Sequence, residues 1–139
     1  MRNIFAITLV NVLILSFVLQ SIHAQSPLAT PDQSQVSVAM KHTKKITLVS
    51  FRNDGEVPLY WVAIENPVGN IAFIKARGWD AERLDVRTIV VMTDERPINP
   101  GKVLIILLMV HQDVSILGWS VGDTLANTIA DGTVIERSE

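Results

Sequence analysis

Residues 45–65 read KITLVSFRNDGEVPLYWVAIE, and this stretch decides the fold. Two runs rich in β-branched and aromatic residues, Lys45–Arg52 and Leu59–Glu65, flank Asn53-Asp54-Gly55. Asn, Asp and Gly favour tight turns because they bond their own backbone or tolerate positive φ. The segment therefore reads strand, turn, strand. The same alternation extends outward in both directions. Val36–Lys41 precedes it. Ile71–Arg77 follows the turn Asn66–Asn70, and Arg87–Thr93 follows Gly78. Asp94–Gly101 is a loop with two prolines. Lys102–His111, Ile116–Val121 and Thr128–Glu136 complete the series. Short strands with turn signals every ~8–12 residues predict two packed antiparallel sheets. Asp80 is a candidate helix cap for Ala81–Leu84, and Asp123 for Thr124–Ile129. The second loses to a hairpin, because Thr128–Ala130 and Gly132–Ile135 continue as strand.

Lys102–His111 differs from the other strands. Val103, Ile105, Leu107 and Met109 share one face; Leu104, Ile106, Leu108 and Val110 share the other. An ordinary sandwich strand carries polar residues outward. Either loops or the polar linker cover the outer face, or that face serves self-association or a partner. Val103, Ile105, Ile106 and Leu108 are the candidate interface residues, since period alone does not tell inside from outside. Leu107 is expected in the core.

The N-terminus carries an address. Arg2 precedes an apolar run from Ile4 to Leu19, and Ala24 follows Ile22-His23. A short positive start, an apolar centre and a small residue mark a secretory signal, cut after Ala24. The run falls short of the ~20 residues that span a bilayer. The competing reading keeps residues 4–22 as an anchor helix, the only expected membrane contact. Residues 25–35, QSPLATPDQSQ, read as a polar linker, and residues 36–136 as the β domain. The expected place is secreted or in the cell envelope, outside the cytoplasm.

Composition narrows the chemistry. The formal charge is −2, with no basic stripe, so nucleic acid is not expected as a partner. The chain has no cysteine, which removes thiolate catalysis and zinc–thiolate sites. Gly118-Trp119-Ser120-Val121-Gly122 matches a nucleophile elbow in letters, but no histidine follows Ser120. Ser120 is therefore expected inside a strand. His42 and His111 have no partner at metal-ligand spacing, and His111, though Asp113 is near it in sequence, reads as a strand-end surface histidine. Asp80, Glu82 and Asp85 lack the glycine turn and glutamate spacing of a calcium loop. No cofactor, no metal and no catalytic residue is expected.

Aromatic residues are the remaining hook. Tyr60 and Trp61 are adjacent on a strand, so they face opposite sides, and one points away from the core. Trp79 lies in a Gly-Trp-Asp turn, either as a core anchor or as a ligand contact. Trp119 alternates with Leu117 and Val121 and is expected inside. Tyr60, Trp61 and Trp79 are the candidate ligand or partner contacts.

Three segments carry a resemblance. Ser50–Gly55 followed by Pro58–Val62, the Pro100-Gly101 step before an apolar strand, and Trp119–Thr133 look like the turn-and-strand elements of immunoglobulin-like modules in exported prokaryotic proteins. The resemblance implies an immunoglobulin-like antiparallel β-sandwich of seven or eight strands, used for adhesion, spacing or assembly. The leading expectation is a non-catalytic exported domain for cell-surface assembly or adhesion, with a protein partner or self-association. The alternatives are a carbohydrate-binding module using exposed aromatics and a membrane-anchored filament or appendage subunit.

Overall fold

The computed structural model describes residues 35–110, 115–124 and 127–136. The expected leader, residues 25–34 of the expected linker, His111 and Asp113 lie outside the described residues. The described residues form nine strands: β1 Val36–Thr43, β2 Ile46–Asn53, β3 Trp61–Glu65, β4 Ile71–Ala76, β5 Asp80–Arg83, β6 Thr88–Met92, β7 Val103–Val110, β8 Ile116–Gly122 and β9 Thr128–Ile135. One sheet has the order β1-β2-β7-β4 and the other β5-β6-β3-β8-β9, with every pairing antiparallel.

The ninth strand corrects the sequence reading of Asp80–Leu84 as a helical turn. Asp80–Arg83 pairs along β6, from Asp80↔Met92 to Arg83↔Ile89. Its residues favour helix weakly, and ladder hydrogen bonds to a buried strand outweigh that preference. The hairpin reading of the C-terminus holds: β8 and β9 pair directly, with a register shift at Val121/Gly122. The chain order departs from the immunoglobulin pattern. There, the extra strands of the second sheet extend the strand they follow. Here β4 crosses to the other sheet before β5 and β6 return beside β3. The fold is a β-sandwich in the broader sense.

The inward faces of both sheets make one core. Val49 and Phe51 of β2 and Ile106 and Leu108 of β7 meet Val62 and Ile64 of β3, Val91 of β6 and Leu117 and Val121 of β8. The Phe51 ring meets Trp119 edge to face across the sheets, with centroids 6.0 Å apart and planes at 78°. Trp119 is buried, as its alternation with Leu117 and Val121 required. Leu107 is not in this core. It is half-buried on the outer face, while Ile106 and Leu108 are fully enclosed. A strand apolar on both faces hides its own orientation.

Loops are tied to the sandwich by buried polar groups. The Asn53 side-chain amide donates to the Val57 carbonyl at 2.8 Å and the Ile98 carbonyl at 2.7 Å. Its oxygen accepts from the Gly55 N–H at 3.0 Å. The Asn-Asp-Gly signal is thus a turn held from inside. Ile98, within the Asp94–Gly101 loop, exchanges backbone hydrogen bonds with Leu59 and is itself buried.

Candidate functional site

Strand pairing sets the outer face of the β1-β2-β7-β4 sheet. One cross-strand row is Lys41, Leu48, Leu107 and Lys75; the next is Ala39, Ser50 and Ile105; a third is Ser37, Arg52 and Val103. Met109 lies beside Ala72 at the far end. Val103 is 52% exposed, Ile105 50% and Met109 42%. The central strand of the sheet thus shows solvent an apolar stripe, with a lysine on each edge strand. Ile106 and Leu108 point inward and leave the candidate surface; Val103 and Ile105 remain in it.

A groove of ≈ 420 Å³ adjoins the Val103 end of the stripe, with Ser37, Ala39, Ser50, Arg52 and Ile135 among its walls. Arg52 Nε donates to Asp54 Oδ1 at 2.5 Å, and Ser37 Oγ donates to the other Asp54 oxygen. These bonds, Arg52 first and Ser37 second, lower the Asp54 carboxyl below its ordinary value. The pair is exposed, so it orients the groove wall more than it stabilises the fold.

The outer face of the β5-β6-β3-β8-β9 sheet is different. Its rows run Asp80, Met92, Trp61, Gly122 and Thr128, then Glu82, Val90, Ala63, Ser120 and Asp131. Glu65 lies in the next row beside Gly118. Trp61 is half-buried and lies across β8. A Cβ built at Gly122 would sit 2.4 Å from its indole ring and 2.0 Å from the Asn127 carbonyl oxygen. No side chain fits there, which is the reason for the second glycine of the Gly-x-Ser-x-Gly letters. Ser120 itself is mid-strand and 4% exposed, not on a strand-to-helix turn. It lacks the strained, open position that a nucleophile elbow provides.

Tyr60 is half-buried just before β3, and its backbone bonds Gly122 and Thr93. Trp79 is only 7% exposed. Gly78 turns the chain at φ +77°, and the Trp79 side chain then enters the core. Of its two sequence readings, core anchor and ligand contact, the burial fits the core anchor and goes against the ligand contact. Tyr60, Trp61 and Trp79 therefore do not form one exposed aromatic plane.

Among the described residues, no group of three His, Cys, Asp or Glu side chains is placed to hold a metal ion. His42 Nδ1 is hydrogen-bonded to Thr47 Oγ1 at 2.9 Å. Asp85 accepts from the Arg87 N–H at 2.6 Å in the β5–β6 turn. Asp80 and Glu82 lie apart from it along the outer face.

Burial raises the Asp131 carboxyl above its ordinary value. The folded chain then holds that proton more tightly than the unfolded chain. Stability from this group is present at low pH and falls as pH rises from the ordinary aspartate value through the raised one. Asp131→Asn should remove that fall. Its urea midpoint should match or slightly exceed wild type near neutral pH, relative to their difference at about pH 3, below the usual carboxylate range. A variant clearly less stable than wild type at neutral pH contradicts this.

No protein-family model matches the chain, and no curated protein matches it. Solved structures do share its fold. ChBD3 from Thermococcus kodakarensis KOD1 is 12% identical with a TM-score of 0.51, matching 77% of this chain and 100% of that one. ChBD2 from the same organism is 8% identical with a TM-score of 0.50, matching 76% and 100%. The cohesin module of a family 33 glycoside hydrolase from Clostridium perfringens ATCC13124 is 12% identical with a TM-score of 0.44, matching 75% and 99%. At these identities the likeness to the two ChBD structures is one of fold alone.

Proposed function

We propose that this chain is a non-catalytic β-sandwich module that acts outside the cytoplasm by protein contact, through the outer face of the β1-β2-β7-β4 sheet. The observation that carries the reading is the stripe Val103, Ile105 and Met109, half exposed on a central strand. Contiguous apolar surface of this kind is rarely left bare on a monomer. β-Branched residues are stiff and lose little entropy on contact, so a flat β face of this composition suits a protein surface. The Arg2–Ala24 pattern supports export.

The competing reading is polysaccharide binding, supported by the chitin-binding neighbours that share the fold. It needs aromatic rings presented to solvent. Among the described residues, the exposed large hydrophobics include no aromatic, and Trp79 and Trp119 are in the core. Protein contact is the better fit.

The chain has no cysteine, so a single probe can be placed without ambiguity. Ile105→Cys carrying a photo-crosslinker, in cells making the full chain, should give a discrete adduct with a protein identified by its peptides. The same probe at Val68, exposed in the Asn66–Asn70 turn and on neither sheet face, serves as comparison. No adduct at position 105, or an adduct with glycan alone, overturns the reading.

A further inference from the structure

The two outer faces of the sandwich carry opposite charge. On the β1-β2-β7-β4 face the charged side chains within the paired rows are Lys41, Arg52 and Lys75, all exposed. Asp54, beyond the end of β2, is already engaged by Arg52. On the β5-β6-β3-β8-β9 face the charged side chains within the paired rows are Asp80, Glu82, Glu65 and Asp131, and none of those rows brings a lysine or arginine outward. The modest overall charge of −2 conceals this polarity. Opposite-signed faces attract at the Debye-length scale of ~8 Å and set orientation, while like faces repel. Apolar area is also matched: the stripe Val103, Ile105 and Met109 on one side, and Trp61, Met92 and Ala63, all half-buried, on the other.

We infer that the outer face of the β1-β2-β7-β4 sheet docks on the outer face of the β5-β6-β3-β8-β9 sheet of a second copy of this chain, head to tail. The inference rests on the reading of the β7 face as a protein-contact surface, and names its partner. A face-to-face pairing of two β7 stripes would bring Lys41 and Lys75 of both copies together. Head-to-tail docking instead sets those lysines against Glu82, Asp80 and Glu65. Such a contact uses different surfaces on each copy, so it does not close into a dimer and repeats along a line. Its size sets its strength. Four strands ~4.8 Å apart and ~25 Å long present roughly 500 Å² in projection. That is at the small end for a specific interface, so each single contact is weak and salt-sensitive.

Charge exchange tests it. The full chain is purified in the form in which it accumulates, and its mass distribution is followed by sedimentation velocity from micromolar to near-millimolar concentration, at low and high salt. Wild type should grow in mass with concentration, and less so at high salt. The Lys41→Glu/Lys75→Glu variant and the Asp80→Lys/Glu82→Lys variant should each self-associate at least about tenfold more weakly, because each now sets like charges against one another. Mixing the two should restore association, since each variant regains an oppositely charged partner face. Circular dichroism checks that both remain folded, and Ile105→Lys provides a third, independent route to dispersal. Three results overturn the inference: wild type that stays monomeric throughout, an Asp80→Lys/Glu82→Lys variant that associates like wild type, or a mixture no larger than its components. These outcomes are separable from failure of protein contact itself. A position-105 adduct with a different protein retains that reading while this inference falls; the absence of any adduct removes both.

Discussion

Ile106→Lys should not fold, whereas Ile105→Lys, one residue earlier, should fold like wild type. Ile106 has no solvent exposure and packs in the core between the two sheets. A lysine there has no acid to pair with among its core neighbours, and a buried unpaired charge costs several kcal/mol. Domains of this size are stable by only about 5–15 kcal/mol, and the lost isoleucine packing adds to the penalty. Ile105 is half exposed, so its lysine reaches water, and surface changes generally stay within about 0.5 kcal/mol. Thermal melts of the two variants by circular dichroism decide it. A cooperative transition near wild type for Ile106→Lys, or its loss for Ile105→Lys, would mean that β7 faces the other way.

Phe51→Ala should cost about 3–5 kcal/mol, the range for deleting a buried aromatic side chain. Phe51 is completely enclosed in β2, and its ring meets that of Trp119 edge to face across the sandwich. Its loss removes burial from both sheets at once and leaves a void that rigid β-strands close poorly. Urea unfolding should show a lower midpoint with an unchanged slope, the sign of lost stability without a changed unfolded state. A loss under about 1 kcal/mol, the scale of surface substitutions, would place Phe51 outside the core.

The eight strands visible in the sequence owe their legibility to turn chemistry. Asn53-Asp54-Gly55 and the Asn66–Asn70 turn announce themselves because their side chains bond local backbone: Asn53 to Gly55 and Val57, and Asn66 to Val68 and Asn70. The strand Asp80–Arg83 carried no such mark. Its sequence, DAER, suits a capped helical turn, and only the distant partner β6 makes it a strand. Trp79 stays open between core anchor and ligand contact in the sequence for a related reason. A glycine before it signals a turn, but the direction in which the turn sends the indole depends on the φ of Gly78 and the space between the sheets.

The candidate site was half legible. That β7 lacked a polar face was plain from its composition; which face was inward was not, because both are apolar. Leu107 and Ile106 exchange roles under a one-residue shift of register. The opposite charge of the two outer faces was invisible in the sequence, where Lys41, Lys75, Glu82 and Asp131 stand far apart. Strand order alone sorts them onto two sides.

The central claim is that the β7 stripe is covered when the protein is at work. Met109 reports on it directly. It is 42% exposed in the stripe, while Met40 is 6% exposed in the core and provides an internal reference. Methionine oxidation follows access to the sulfur. Mild peroxide treatment, read by peptide mass spectrometry, should oxidise Met109 faster than Met40 in the purified, dilute protein. In its native surroundings Met109 should slow towards Met40. Met109 oxidised equally fast in both states would contradict the claim, because the stripe would then be bare where the protein acts.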